Sequence, residues 1–221
     1  EVSLPATVEE FETYVNSFVG TRPPGLSIAI ALGEDVLYEQ GFGLADGPRG
    51  IPATPDTVYH WASVNKTVTA TAIMQLREQG LIDLDAPVSD YLDYFPTQYP
   101  VPITVRHMLT HSTGLPEPSD FLLVNLRLQG QPLPDFDSVD REYYDGVPSL
   151  MFDTGSESAY VNPDYVTLGQ IIAAVSRQPY VEYVKEHILN PLGMTNTDFT
   201  YSNGFMDANV AGAAVPIAEA E

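Results

Sequence analysis

The chain has 221 residues, of which 30 are Asp or Glu and only 9 are Lys or Arg, so its formal net charge is −21. A surface this poor in cations disfavours nucleic acid and anionic membranes, because both are bound by basic patches. The lack of cysteine excludes disulfides, thiolate metal sites and a cysteine nucleophile. The hydrophobic share of 44% is typical of a globular protein, and no apolar run approaches the roughly 18 residues of a membrane span.

The first fifty residues predict one helix and one β-hairpin. Thr7 and Glu10 have the spacing of a capping box, and the segment 7–19 places four apolar side chains on one helical face, namely Val8, Phe11, Val15 and Phe18. Residues 26–32 alternate large and small side chains, and the run 36–46 predicts the second strand. Because an isolated two-stranded hairpin is marginal, we expect either helices that cover it or further strands from elsewhere.

From about residue 60 the pattern is mainly helical. The segment 62–79 predicts a helix that ends at Gly80, and Thr104 is placed to cap a short helix that begins at Val105. A helix is predicted after Pro163 and another over 180–189.

Residues 115–150 are rich in Pro and Asp and have no sustained period, so they predict a long loop with short helical turns. Loops of that length are more often functional than accidental. Within it, 135–146 has acid spacing reminiscent of a calcium loop. Val139 stands where an oxygen ligand is needed and Asp140 where the turn glycine is needed, so we do not expect calcium there.

Ser63 and Lys66 are the pair with the clearest chemistry. They lie three residues apart at the start of the predicted helix, and no charged residue occurs over 67–76. A serine becomes a nucleophile when a base takes its proton, and a desolvated lysine can be that base. The helix N-terminus adds partial positive charge that suits an oxyanion. Alternatively, Ser63 caps the helix and Lys66 reaches solvent.

The segment around Ser63 and Lys66 and several later segments resemble those of one known family, in the same order along the chain. The segment "TPDTVYHWASVNKTVTA" resembles the S-x-x-K nucleophile segment of the serine β-lactamase and penicillin-binding-protein superfamily. The later segments "GLIDLDAPVSDYL", "ITVRHMLTHSTGLP" and "PLGMTNTDF" resemble that family in the same order, with Ser112 and Thr113 exchanged. The resemblance spans roughly residues 24–200, and it is to class C β-lactamases, D-alanyl-D-alanine peptidases and related esterases.

This resemblance implies an α+β fold of the β-lactamase/transpeptidase type. Residues 1–50 would supply the N-terminal helix and hairpin of an antiparallel sheet, and residues 51–200 a mainly helical domain with the nucleophile helix. Residues 201–221 would form a tail, and the remaining strands are absent from this chain. The start at Glu1 rather than Met predicts a processed or trimmed product, and we expect a periplasmic or secreted location.

The resemblance also assigns candidate site residues. Ser63 would be the nucleophile and Lys66 its base, with Tyr160 of "AYVNP" as general base and acid beside Lys66. Asn162 would hydrogen-bond the substrate's amide, although its place before Pro163 also suits a helix N-cap. No cofactor or metal is implied.

The family's third element, a Lys-Thr-Gly or His-x-Gly on an edge strand, is not found after Tyr165. Either the missing half exists as a separate C-terminal fragment that completes the sheet, or the chain is a truncated relative without catalysis. The hairpin's need for further strands favours the first explanation.

We therefore expect a serine hydrolase that forms an acyl-serine intermediate on amide or ester bonds of D-amino-acid peptides, esters or β-lactams. The alternative is a non-catalytic penicillin-recognising sensor or scaffold. His107 and His111 have the spacing of a zinc pair but lack the Glu and a third ligand, so a structural role is favoured. Ser27 in "GLSIA" mimics a nucleophile elbow but lies in mid-strand.

Overall fold

The computed structural model describes residues 7–20, 25–59, 61–117 and 136–199. These residues divide into two compact units: the first contains the residues before Ser63 together with 196–199, and the second is Ser63–Thr195. The assignment of 1–50 and 51–200 to two domains stays a prediction, and the predicted tail lies outside the described residues.

The first unit contains the predicted helix and hairpin. Helix α1, Val8–Val19, begins after Thr7, whose Oγ1 accepts a hydrogen bond from the Glu10 backbone N–H at 3.1 Å. Strands β1, Leu26–Leu32, and β2, Asp35–Phe42, then pair in antiparallel fashion. The α-helix and hairpin of the α+β prediction are thus confirmed.

The second strand ends earlier than predicted. Gly43 has φ +71, and a Cβ there would lie 2.5 Å from a methyl group of Val19. Only glycine adopts this conformation at so close an approach without strain. The chain turns at this point, and β3, Leu44–Asp46, pairs with β4, Ile51–Pro52, to form a second small sheet. The single strand predicted over 36–46 is therefore wrong.

The hairpin leaves several large apolar side chains exposed within the described part of the chain. Leu32 is 72% exposed, Leu37 63% and Val36 60%. Scattered exposed apolar residues are ordinary, but these lie together on one short hairpin. The hairpin therefore has apolar surface that the described part of its unit leaves uncovered.

The second unit is helical. Its helices are α2 (Asn65–Glu78), α3 (Val105–Leu109), α4 (Phe136–Asp145), α5 (Asn162–Ser176) and α6 (Tyr180–Val184). A π-helical turn, Lys185–Leu189, continues α6, in agreement with the helix predicted over 180–189. Helix α2 packs against α5, and both helices carry fully buried apolar side chains, among them Ala72, Ile73, Leu168, Ile171 and Ile172. Burial of each large side chain contributes about 1.5–3 kcal/mol.

Helix α4 corrects the prediction of a loop over 115–150. Asp140, which is 1% exposed, accepts hydrogen bonds from the hydroxyls of Tyr94 and Thr167, each at 2.7 Å. Tyr144 on the same helix is also buried and contacts the Thr167 hydroxyl. These buried polar contacts hold the helix in the unit. Its sequence places Phe136, Val139 and Tyr143 at helical spacing, a stripe too short to stand out within the Pro- and Asp-rich segment. The rest of the predicted loop, 118–135, lies outside the described residues.

None of the helices in the described ranges has both the length and the apolar character that crossing a bilayer requires.

Candidate active site

Ser63 lies in a 3₁₀ turn, Ala62–Val64, directly before α2. The N-cap of α2 is Val64, and no side chain caps the helix. The alternative in which Ser63 serves as the helix cap is therefore wrong. The side chain of Ser63 is exposed and makes its contacts with the two other candidate catalytic residues described below.

Lys66 lies in the first turn of α2 and is half-buried. Its Nζ donates a hydrogen bond to Asn162 Oδ1 at 2.7 Å and a longer one to Ser63 Oγ at 3.4 Å. The ammonium also lies 4.7 Å from the ring centre of Tyr160 and 5.5 Å from that of Tyr165, within cation–π range of both. The side chain is directed towards α5 and not towards solvent.

Tyr160 completes the contact on the other side of the serine. Its hydroxyl lies 2.6 Å from Ser63 Oγ, the shortest of these distances. Partial burial acts to raise the pKa of Tyr160, but hydrogen bonds with Lys66 and Ser63 and the positive charge of Lys66 outweigh it, so the pKa lies below the usual value of 10.0. The deprotonated form of Tyr160 is thus stabilised relative to that of an ordinary tyrosine.

His111 holds Tyr160 in place through the backbone on both sides. The His111 carbonyl accepts a hydrogen bond from the Ala159 N–H at 2.9 Å, and His111 Nδ1 accepts one from the Val161 N–H at 3.3 Å. The imidazole also packs against the Tyr160 ring at 4.6 Å between centroids. Helix α3 ends at Leu109, so His107 and His111 do not share a helical face as the zinc-pair spacing had suggested.

The carboxylate of Asp164 contacts the imidazole of His111. This carboxylate is fully buried, accepts a hydrogen bond from Thr113 Oγ1 at 3.1 Å and lies 3.4 Å from His111 Nδ1. Burial raises the pKa of Asp164 to about 6, against the lowering effect of its contacts with His111 and Thr113. The exchanged order of Ser112 and Thr113 therefore places the threonine at the buried position.

Asn162 is the first residue of α5, and Val161 is its N-cap, with no capping bond from a side chain. The N-cap role considered for Asn162 is therefore wrong. Its side chain instead bridges two charged groups. Oδ1 accepts from Lys66, and Nδ2 donates to Glu117 Oε1 at 3.0 Å.

Glu117 is a site residue that the sequence analysis missed. Its Oε2 accepts a second hydrogen bond, from the Asn162 backbone N–H at 2.6 Å. Glu117 follows directly after "GLP" in a segment without periodicity, so no pattern marked it. Its only signal was its place in a long predicted loop that adjoins a family motif.

The structure thus brings Ser63, Lys66, Tyr160 and Asn162 together within one unit. Among the residues described, no group of three or more His, Cys, Asp or Glu side chains is arranged to hold a metal ion. Ser27 lies in β1, where its hydroxyl donates to the Thr54 carbonyl at 2.6 Å and contacts the Tyr59 hydroxyl at 2.9 Å, as suits a structural side chain.

Comparison with known proteins identifies the family of the chain. The family model described as Beta-lactamase matches residues 11–218. The chain is 34% identical over 184 residues to the putative penicillin-binding protein PbpX of Bacillus subtilis, covering 79% of this chain and 41% of PbpX. The chain therefore spans less than half the length of this relative.

Solved structures give the same result. The octameric penicillin-binding protein homologue from Pyrococcus abyssi is 34% identical with a TM-score of 0.74, covering 92% of this chain and 46% of that one. The D-amino acid amidase from Ochrobactrum anthropi SV3 is 26% identical with a TM-score of 0.69, covering 83% and 49%. With its nucleophile-segment motif, its fold and its family match in agreement, the chain belongs to the Beta-lactamase family.

Proposed function

We propose that the chain provides the nucleophile and base of a serine hydrolase that acts through an acyl-serine intermediate. The observation that carries this proposal is the 2.6 Å contact between Ser63 Oγ and the Tyr160 hydroxyl, with the Lys66 ammonium 3.4 Å from the same serine oxygen. A nucleophile within hydrogen-bond reach of a base, and a base held by a third group, is the arrangement that activates serine.

In the proposed step, Ser63 Oγ attacks the carbonyl carbon of an amide or ester while its proton passes to the Tyr160 phenolate. Collapse of the tetrahedral intermediate breaks the bond to the leaving amine or alcohol, which takes that proton from Tyr160. Water then attacks the acyl-serine while Tyr160 takes a proton from it. Tyr160 gives that proton to Ser63 Oγ as the acid is released. Lys66, which the sequence suggested as the base, serves here as the cation that stabilises the phenolate, because its Nζ already donates to Asn162 and Ser63.

Asn162 is proposed to contact the substrate's acyl amide. One N–H of its side chain is taken by Glu117, and its carbonyl by Lys66. Support for this role comes from the Tyr-x-Asn spacing of Tyr160 and Asn162 and from the place of the Asn162 side chain beside Lys66.

For substrates, we propose amides and esters of D-amino acids ahead of β-lactams. The support is the likeness to a D-amino acid amidase together with relatives named as penicillin-binding proteins. All of these bonds are open to an acyl-serine mechanism, and the fold alone does not choose among them.

We further propose that a C-terminal segment completes the sheet and supplies the third family element. The exposed apolar residues of the β1–β2 hairpin support this, as does the coverage of only 41% of PbpX and 46% of the Pyrococcus chain. An added strand would cover that surface and offer backbone N–H groups for an oxyanion.

The test is acylation of the protein, with the adduct detected by mass spectrometry. The protein is incubated with a fluorescent penicillin and with a p-nitrophenyl ester, and any adduct is located by peptide mapping. We expect the label on Ser63, its loss in Ser63→Ala and its retention in Ser156→Ala, a change at an exposed serine of the same unit. Lys66→Ala should likewise lose the label while Lys185→Ala keeps it.

The outcomes separate the alternatives. Release of product with transient labelling supports hydrolysis, and a lasting adduct on Ser63 supports a penicillin-recognising sensor. Label on another residue, or full labelling of Lys66→Ala, contradicts the proposed chemistry.

A further inference from the structure

The bond between Glu117 and Asn162 extends the site by one residue. We propose that Glu117 is a positioning residue that fixes the Asn162 amide and, through it, the Lys66 ammonium beside Tyr160. This inference rests on the proposed function, because it assigns a part in the same site, and it adds a residue that the family motifs quoted above do not include.

Glu117 contacts Asn162 at two points. Oε2 accepts from the backbone N–H at 2.6 Å and Oε1 from the side-chain Nδ2 at 3.0 Å. A carboxylate only accepts hydrogen bonds when ionised, so the amide nitrogen must face Glu117 and the amide oxygen must face away. The rotamer of Asn162 and the direction of its carbonyl are both set by this double contact.

That carbonyl is the main partner of Lys66. The distance from Nζ to Asn162 Oδ1 is 2.7 Å, within the range of a strong charged hydrogen bond, whereas that to Ser63 Oγ is 3.4 Å. The ammonium therefore lies where Asn162 holds it, and this position places it 4.7 Å from the Tyr160 ring centre.

Replacement of Glu117 by glutamine would disturb this relay with little change of shape. Glutamine has one acceptor and one donor group, while Asn162 presents two donors to it. One contact would set donor against donor unless the Asn162 amide turns over. A turned amide would point its nitrogen at the Lys66 ammonium, which would lose its acceptor and move away from Tyr160.

The pKa of Tyr160 reports which effect operates. The negative charge of Glu117 raises this pKa, and the interactions with Lys66 lower it. Loss of the charge alone would lower the pKa further, whereas displacement of Lys66 would raise it. The other polar or ionisable groups around this tyrosine, Ser63, His111 and Tyr165, are unchanged by the substitution. The two explanations thus predict opposite signs.

The experiment is a spectroscopic titration of the full chain. Tyrosinate absorbance is followed against pH for wild type and for Glu117→Gln, each minus the same protein with Tyr160→Phe, so that Tyr160 is isolated from the other tyrosines. We expect Glu117→Gln to raise the Tyr160 pKa by about one unit, because displacement of the Lys66 ammonium takes a stabilising positive charge away from the phenolate. A lowered or unchanged pKa overturns the proposal.

Two companion variants secure the result. Glu117→Asp keeps the charge but is too short to reach both donors, so it should also raise the pKa. Glu157→Gln removes an exposed carboxylate from the same unit and should leave the pKa unchanged. A Glu117→Asp protein that is folded by circular dichroism and titrates like wild type would also refute positioning.

Acylation of the same proteins distinguishes this inference from the proposed function. We expect labelling of Ser63 to slow about tenfold in Glu117→Gln. If wild type is labelled and the variant matches it in rate and titration, positioning fails while the function stands. If no protein is labelled but the pKa rises, the function fails while the positioning stands.

Discussion

Replacing Asp140 with asparagine should remove a specific part of the protein's pH-dependent stability. Asp140 is 1% exposed in α4, and burial raises its pKa to about 6 from 3.8, against hydrogen bonds from Tyr94 and Thr167 that lower it. An acid whose pKa is raised on folding binds more protons in the folded state than in the unfolded one. Its contribution to stability is therefore fully present below pH 3.8 and is lost as the pH rises through about 6.

The magnitude follows from the shift. A rise from 3.8 to about 6 spans about two pH units at about 1.4 kcal/mol each, so wild type should lose about 3 kcal/mol at this site between pH 4 and 7. Asparagine does not titrate and keeps an oxygen for one of the two hydroxyl donors. The free energy of unfolding of Asp140→Asn should therefore gain on wild type by about that amount as the pH rises.

Urea unfolding at half-unit steps from pH 4 to 7 measures this difference. Asp153→Asn, at an exposed position, is the matched control and should follow the wild-type curve. The subtraction removes the repulsion among the other carboxylates, which all three proteins share. A difference between Asp140→Asn and wild type that stays flat across this range would refute the burial argument.

Three further predictions concern the site and the core. Tyr160→Phe should lower the acylation rate of Ser63 by about 10²–10⁴-fold, while Tyr14→Phe, at a matched 49% exposure against 50% for Tyr160, should not change it; equal rates in the two would exclude Tyr160 as the base. The acylation rate should rise with pH through the Tyr160 pKa, which lies below 10.0. In Lys66→Ala any remaining rise of the rate should occur at higher pH, because the lysine lowers that pKa. A rise at lower pH in stopped-flow acylation would contradict this sign. Ile172→Ala, at a fully buried position of α5, should cost about 2–5 kcal/mol in urea unfolding, against less than about 0.5 for Leu192→Ala at 69% exposure, and similar losses in both would refute the core assignment.

Periodic patterns in the sequence predicted α1, the β1–β2 hairpin and α2 because each is decided by local alternation or capping. The helix α4 escaped prediction because Asp140 and Tyr144 are buried through polar contacts with residues distant in the chain. The break at Gly43 was missed for a similar reason, since Val19 is what makes a side chain impossible there.

The candidate site shows the same division. Ser63, Lys66, Tyr160 and Asn162 carry motif spacing, and the structure places them in mutual contact. Glu117 and His111 act through backbone N–H and carbonyl groups as well as side chains, so their part depends on how two separate segments meet. The residue types in the sequence do not predict such a contact.

The packing of α2 against α5 has a mechanical consequence for the distance between Ser63 and Tyr160. Ser63 precedes the first of these helices and Tyr160 precedes the second. The separation of the two helices therefore determines the distance between the serine and tyrosine hydroxyls. A substitution that increases that separation would move the two hydroxyls apart without touching either. Because a misplacement of about 1 Å can cost an enzyme about a hundredfold in rate, substitutions at buried residues of these helices, such as Ala72 and Ile171, would slow the proposed acylation without any contact with the substrate.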